Sequence, residues 1–246
     1  HHVEGAGCYG HNGADDVAFD AVLMALKYPG VHVRVLWTRE DELGHAPLGS
    51  AQSVQLQACV DPSGQITHWQ HELWANGYSS RPGRARSSTL LAASQMAGGE
   101  PLPIAINPPL SAGGGADRNA VPGYAVANLN VINHRLMVMP LRTSAMRGLG
   151  AFANVFAIES FMDEMAIATN QDPLAFRLRH IQDERAKDVL QTVVHRSKWW
   201  SSACEEGVGH GMAWARYKNT GAWCAVLARV EVGEQVRVLN LDLAVD

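Results

Sequence analysis

The chain has 246 residues, 47% hydrophobic and 18% charged with 23 glycines, enough for one large globular domain or two modest ones with a sizeable core. Its formal net charge of −4 and pI near 6.3 supply no basic stripe, which argues against a nucleic-acid partner. No run approaches the roughly 18–20 consecutive apolar residues of a transmembrane helix, and no charged n-region with an apolar h-region opens the chain.

The first feature in chain order is Gly5-Ala6-Gly7-Cys8-Tyr9-Gly10, which fits the dinucleotide fingerprint GxGxxG. Residues 14–28 then predict a helix, with Asp15 or Asp16 at its start and an apolar stripe of Val17, Ala21, Leu23, Met24 and Tyr28. The alternating valines of 30–38 predict a half-buried strand, and 53–75 a β-hairpin about Asp61-Pro62-Ser63-Gly64. Residues 77–119, with Arg81, Arg84, Arg86, Pro101, Pro103, Pro108, Pro109 and Gly113-Gly114-Gly115, predict a long irregular excursion. Strand character returns over 125–140. A glycine-punctuated loop at 144–151 then feeds a helix carrying Phe156, Ile158, Phe161, Met162 and Met165. A second helix spans 172–181 with Pro173 in its first turn, a polar helix follows near 183–195, and strands fill the stretch from about 210 to the end. The mixture lacks strict βαβ alternation and reads as α+β.

The chain begins at His1 without Met and stops at Asp246 within an apolar strand pattern, so a fragment of a longer protein is expected. Cys59, Cys204 and Cys224 are expected to be reduced, buried or half-buried thiols. With Cys8 they show no zinc or iron–sulfur spacing and do not identify the compartment.

A dinucleotide loop needs a preceding strand, a helix opening on its glycines and a carboxylate about 20 residues on. Here Gly13 interrupts the helix start, Glu40 lies about 30 residues after Gly10, and the next elements form no βα unit. The loop still suits an anion, because successive glycines let backbone N–H groups approach phosphate or oxo groups. The second loop, Ser144 to Ala151, repeats those ingredients and adds the cation Arg147, so the two either converge on one polyanionic cofactor or are merely tight turns with close packing, the reading that each loop favours taken alone.

Together the two loops resemble the molybdopterin-binding large subunits of the xanthine dehydrogenase and aldehyde oxidase family, with isoquinoline oxidoreductase and nicotinate dehydrogenase large subunits as bacterial look-alikes. The resemblance rests on residues 4–25, 34–43, 118–124, 141–166, 172–181 and 215–232, nearly the whole chain, and 141–166 is its most specific part. It implies a molybdenum-cofactor-binding fold, with 1–200 as part of that domain and 201–246 as the start of a following sheet-containing segment. It also implies that Gly7, Cys8, Tyr9 and Gly10 lie beside the cofactor and that Arg147, Gly148, Leu149 and Gly150 form a second wall. His11, Asn12 and Leu149 then line the substrate pocket, with His11 either a hydrogen-bond donor to substrate or purely structural. Many relatives carry Phe where Leu149 stands, so the resemblance implies a wall that stays apolar but does not stack on an aromatic substrate. Xanthine-type enzymes carry a Lys-Glu pair where this chain has His11-Asn12-Gly13, which disfavours a purine.

The family chemistry is hydroxylation of an N-heterocycle or aldehyde with water as oxygen source, a glutamate serving as general base. Gly99-Glu100 stands in the wrong place for that glutamate, which is expected beyond Asp246, and no catalytic residue is assigned here. The cofactor implied is a molybdopterin, in its cytosine dinucleotide form, whose dithiolene holds the metal so that the chain supplies no metal ligand. Electrons would pass to [2Fe-2S] clusters on a small partner subunit, with a cytochrome c subunit as a further partner and the compartment either cytoplasm or periplasm. A piece of this size is expected to be inactive alone. The alternatives are an NAD(P)-dependent oxidoreductase using residues 5–10 and a non-catalytic binding module of the same fold.

Overall fold

The computed structural model describes residues 7, 9–10, 14–83 and 87–246. The helices are α1 (Asp16–Lys27), α2 (Arg39–His45), α3 (Leu91–Gln95), α4 (Ala151–Ala168), α5 (Pro173–His180) and α6 (Glu184–Arg196). The strands are β1 (Leu48–Gly49), β2 (Gln52–Val60), β3 (Ile66–Ala75), β4 (Asn128–Arg135), β5 (Thr143–Ser144), β6 (Val208–Tyr217), β7 (Gly221–Val232) and β8 (Val236–Val245). Sheets of order β2-β3-β4 and β6-β7-β8 and the parallel pair β1-β5 make the fold α+β, as the mixed periodicities predict. Two compact units divide the chain, one of residues 1–53, 73–118 and 133–150, the other of 54–72, 119–132 and 151–246.

The predicted hairpin forms as β2 and β3. Its turn is tied by the Asp61 carboxylate, which accepts from Ser63 N–H (2.8 Å) and Gln65 N–H (3.0 Å), while Gly64 takes φ 84°. The helices after Gly150 also form where expected. Asp172 caps α5 by accepting from Ala175 N–H at 2.8 Å, and Asp183 caps α6 by accepting from Arg185 N–H at 3.1 Å. The apolar positions of α6, Ala186, Val189, Leu190 and Val193, recur every three or four residues and are all buried. They meet Met212, Trp214, Ala225 and Leu227 from the inner face of the β6-β7-β8 sheet in one core.

Three expectations need correction. Residues 31–38 form no strand: Val33, Val35 and Trp37 keep the inward alternation, but no ladder partner pairs with them among the described residues. Period-two alternation here reports extended chain lying on a surface. The Thr38-Arg39-Glu40-Asp41 end of that stretch instead starts α2 through a capping box, Thr38 Oγ1 accepting from Asp41 N–H and Asp41 accepting from Thr38 N–H. Asp15 and Asp16 do stand at the start of α1, Asp16 in its first turn and in a buried ion pair, Asp15 at the N-cap position with φ 60° and no side-chain capping bond; but of the predicted stripe, Met24 and Tyr28 are exposed. Cys59 and Cys204 are exposed as well, Cys59 because it falls on the outward alternation of β2 and Cys204 because it lies in the loop before β6.

One buried ion pair organises the second unit. The Arg177 guanidinium, fully buried on α5, donates through Nε to Glu159 Oε2 of α4 at 3.0 Å and through Nη1 to Asp163 Oδ1 at 2.6 Å. Through Nη2 it donates to the carbonyls of Glu159 (2.8 Å) and Met212 (3.1 Å). Glu159 in turn accepts from Trp214 N–H (3.2 Å) and from the Tyr124 hydroxyl (2.7 Å), which itself accepts from Trp214 Nε1 at 2.8 Å. Met212 and Trp214 lie on β6, an edge strand, so this pair satisfies backbone groups that a neighbouring strand would otherwise take. Burial opposes the Arg177 charge, but the oxygens of Tyr124, Glu159 and Asp163 around it outweigh that and hold the guanidinium protonated; burial pushes the Glu159 carboxyl up.

Two buried histidines are held neutral. The Ile66 N–H donates to His180 Nε2 at 3.0 Å, so the ring proton resides on Nδ1, which donates to Phe176 O at 2.8 Å. Burial of that ring lowers its pKa. His71 contacts Asn154 Oδ1 through Nε2 at 3.1 Å, and burial depresses its pKa to about 4.

Replacing Arg177 by Met leaves Glu159 buried without its counter-charge, with an expected loss of about 3–5 kcal/mol in denaturant unfolding; the double change Arg177→Met/Glu159→Leu recovers part of it. Because both histidine pKa values lie below the unfolded value, the folded state binds fewer protons in that interval. The contribution of His71 is therefore complete above about pH 6.5 and is lost as pH falls toward about 4, and that of His180 is lost in the same direction. A series of unfolding curves between pH 8 and 4 reads this, and His71→Gln should flatten the acid limb.

Candidate cofactor-binding site

The site lies in the first unit, where three glycine-bearing segments are brought together. The second loop begins at β5, whose Leu48↔Thr143 and Gly49↔Ser144 pairing anchors its base. Ser80 Oγ donates to Thr143 O at 2.6 Å, Ser144 Oγ accepts from Ser80 N–H at 3.1 Å, and Thr143 Oγ1 donates to Gly77 O at 2.9 Å. These groups are buried, so the loop's base is set by hydrogen bonds that water does not compete for.

Arg142, just before β5, does the wider positioning. Its guanidinium makes a two-pronged pair with Asp16, Nη1 to Oδ1 at 2.9 Å and Nη2 to Oδ2 at 2.7 Å. It also donates to the carbonyls of Thr89 (3.0 Å) and His45 (2.7 Å), while Asp16 Oδ1 accepts from Leu91 N–H at 2.9 Å. The start of α1, the end of α2 and the start of α3 thus all close on the base of this loop. Sequence reasoning passed over Arg142, and took Asp16 as a helix-start residue, because a pair separated by 126 positions leaves no local signal.

From β5 the chain turns through Ala145–Gly150. Leu149 N–H donates to Met146 O at 3.0 Å, with Gly148 at φ 89° and Leu149 at φ 51°. The left-handed conformation at a leucine carries strain of about 1–2 kcal/mol. Gly150 N–H donates to Gly115 O at 3.0 Å, and a Cβ on Gly150 would run into the Ala116 carbonyl. The Gly113-Gly114-Gly115 run, read from sequence only as part of an irregular excursion, is therefore the third wall. Arg118 braces it, Nε donating to Gly113 O at 2.7 Å and Nη2 to Gly114 O at 2.9 Å. Three successive glycines shortly before a buried arginine were the available signal.

The first loop packs against the second. Gly10, at φ 145°, lies so close to it that an added Cβ would stand 2.5 Å from Ala145 O and 3.2 Å from Met146 Cα. Tyr9 is exposed, its hydroxyl folded back over Gly7, and the Arg147 guanidinium sits 5.6 Å from its ring centroid, a cation–π distance. Of the residues expected from sequence, Gly7, Tyr9, Gly10, Arg147, Gly148 and Leu149 are thereby gathered; Cys8, His11 and Asn12 lie outside the described residues. Gly99-Glu100 lies in the loop after α3, and among the described residues no three His, Cys, Asp or Glu side chains come together as a metal cage.

Residues 115–181 match the molybdopterin cofactor-binding domain, a span that runs from Gly115 at the end of the third wall through the second loop, α4 and α5. The chain is 33% identical, over 94% of its length, to a subunit of the nicotinate dehydrogenase of Pseudomonas putida, of which it covers 19%. It is 26% identical, over 87% of its length, to the beta chain of the isoquinoline 1-oxidoreductase of Brevundimonas diminuta, covering 25% of that protein. The aldehyde oxidoreductase of Desulfovibrio desulfuricans shares its fold, with a TM-score of 0.52 at 14% identity over 95% of this chain and 25% of the other. The chain thus spans about a fifth to a quarter of the curated relatives it matches. It is similar to molybdopterin-binding oxidoreductase subunits, and residues 115–181 match their cofactor-binding domain.

The residues present fit such a group. The loops meet where Gly10 and Gly150 leave no room for a Cβ, so bare backbone lines the junction, and Arg147, an exposed cation with no ion pair among the described residues, stands at its rim. Bare backbone and a cation suit an oxygen-rich anion. Since Gly10 combines a positive φ with a carbonyl in the path of any side chain, Gly10→Ala should force the two loops apart. Expected is a loss of about 1–3 kcal/mol in unfolding free energy and faster proteolysis at 145–150, whereas Gly30→Ala, with open space around it, should cost less.

Proposed function

We propose that this chain forms part of the cofactor cradle of a molybdenum hydroxylase, an oxidoreductase acting on an N-heterocyclic aromatic compound or an aldehyde. The observation that carries the reading is the junction of the two glycine loops at Gly10 and Ala145, with Arg147 beside Tyr9. The cofactor, a molybdopterin in its cytosine dinucleotide form, supplies two-electron redox chemistry at molybdenum.

The chain's own contribution is placement. Gly7, Gly10 and Gly148 give backbone clearance, Arg147 offsets negative charge on the bound group, and the Tyr9 ring faces the guanidinium at a cation–π distance. Leu149 offers substrate an apolar wall, and His11 and Asn12 stand where a purine-specific enzyme has a different pair, so a purine is disfavoured. The proton-accepting glutamate comes from outside these 246 residues, and electrons leave to [2Fe-2S] clusters on a small partner subunit, with a cytochrome c subunit as a further acceptor.

The test is Arg147→Ala in the intact enzyme, read as molybdenum and pterin per polypeptide after gel filtration. Losing a charge-assisted contact of about 1.5–3 kcal/mol weakens retention roughly 10- to 150-fold. Arg147→Lys should restore part of it. Full metal and pterin content in Arg147→Ala, with unchanged turnover, would sink the proposal and favour a non-catalytic module of the same fold.

A further inference from the structure

The β6-β7-β8 sheet has two apolar faces, of which the core accounts for one. Met212, Trp214, Ala225 and Leu227 point into the core against α6. The alternate positions point the other way, and the register sets them side by side: Ala213 pairs with Val226, and Val226 with Leu243. On that outer face β6 presents only glycine and alanine between Gly209 and Ala215, β7 presents Cys224 and then alanine or valine as far as Val232, and β8 presents only valine and leucine.

A bulge keeps this face uniform. The register shifts at Arg229/Val230, where Leu239 is the extra residue, so Val236 and Val238 emerge on the same side as Leu241 and Leu243 instead of switching faces. Arg237, Asn240 and Asp242 are all turned to the opposite side. The result is a face without one charged or amide side chain, on which Val236 is 69% exposed, Val245 68% and Leu243 57%. An antiparallel sheet with one solvated face alternates apolar with polar residues, and this one does not.

We infer that this outer face is a permanent internal interface, covered by a helical layer from a further segment of the same large-subunit polypeptide. Three observations select that occupant. A face with no polar positions resembles a domain core cut in half, the mark of an obligate contact; surfaces that bind and release partners are about as polar as the rest of a protein. The curated relatives are four to five times as long as the part matched here, so ample polypeptide exists to supply the layer. The gradient from glycine and alanine on β6 to leucine on β8 forms a trough with a ridge along one side, and a helix lying over β6 and β7 can approach closely where side chains are smallest. This inference rests on the reading of the chain as part of a longer large subunit and not on any contact to the cofactor.

The experiment places the photo-reactive residue benzoyl-phenylalanine at Leu241 in the intact large subunit, irradiates it, and identifies the captured peptide by mass spectrometry. Capture of a peptide from the same polypeptide, outside these 246 residues, is the expected result. Capture from a second copy, from the small subunit, or of no protein at all overturns it. Because the bulky probe risks misfolding, Leu241→Cys and Val238→Cys serve beside it. In the monomeric large subunit each thiol should react with a maleimide roughly tenfold or more slowly than in guanidinium, as a buried group does. Equal rates, or protection that disappears when subunits are separated, overturn the assignment. Molybdenum and pterin content, measured on the same samples, reports separately on the proposed function.

Discussion

The second unit depends on one buried ion pair. Arg177 and Glu159 stand at the open edge of β6 and hydrogen-bond the Met212 carbonyl and the Trp214 amide, which gives the edge strand partners without a fourth strand. The same two side chains fasten α5 to α4 and bring Tyr124 and Trp214 into a T-shaped contact. Exchanging the pair for apolar residues of similar volume would not reproduce this, because two backbone groups would then be buried without partners. The pair's value lies in where its hydrogen bonds go, more than in the attraction between its charges.

The first unit is organised the same way, around Arg142 and Asp16. Here the donors and acceptors belong to loops and helix ends, and the outcome is the placement of a loop. Arg142 joins the ends of three short helices to the residue that opens β5, and β5 leads directly into the Ala145–Gly150 turn. The cradle is therefore supported from behind by charge-assisted bonds that leave its front surface free of that duty. Arg118 repeats the device on the third wall by holding the two carbonyls of Gly113 and Gly114.

How much of this was legible follows from the range of each interaction. Local signals succeeded: the Asp61–Gly64 turn, Pro173 after the capping Asp172, and the glycine punctuation before α4 all lie within a few residues of what they control. The capping box at Thr38 was equally local, but it was masked by the valine alternation before it, which looked like a strand. That the two glycine loops come together was one of two readings their shared composition left open. The support behind them was not legible, because Asp16 and Arg142 are ordinary residues until the chain folds. Glu159 was closer to legible: a carboxylate on the apolar side of a helix otherwise rich in Phe, Ile and Met demands a buried cation, and Arg177 on the next helix supplies it.

At the junction of Gly10 with Ala145 and of Gly150 with Gly115, the walls touch through main-chain atoms. Contacts of that kind are indifferent to the identity of neighbouring side chains, provided the glycines stay. Positions such as 147 and 149, which project from the same turns, are thus uncoupled from the scaffold's shape. On the proposed reading of Leu149 as a substrate wall, exchanging leucine for an aromatic ring would retune which molecules are accepted without rebuilding the frame that presents them.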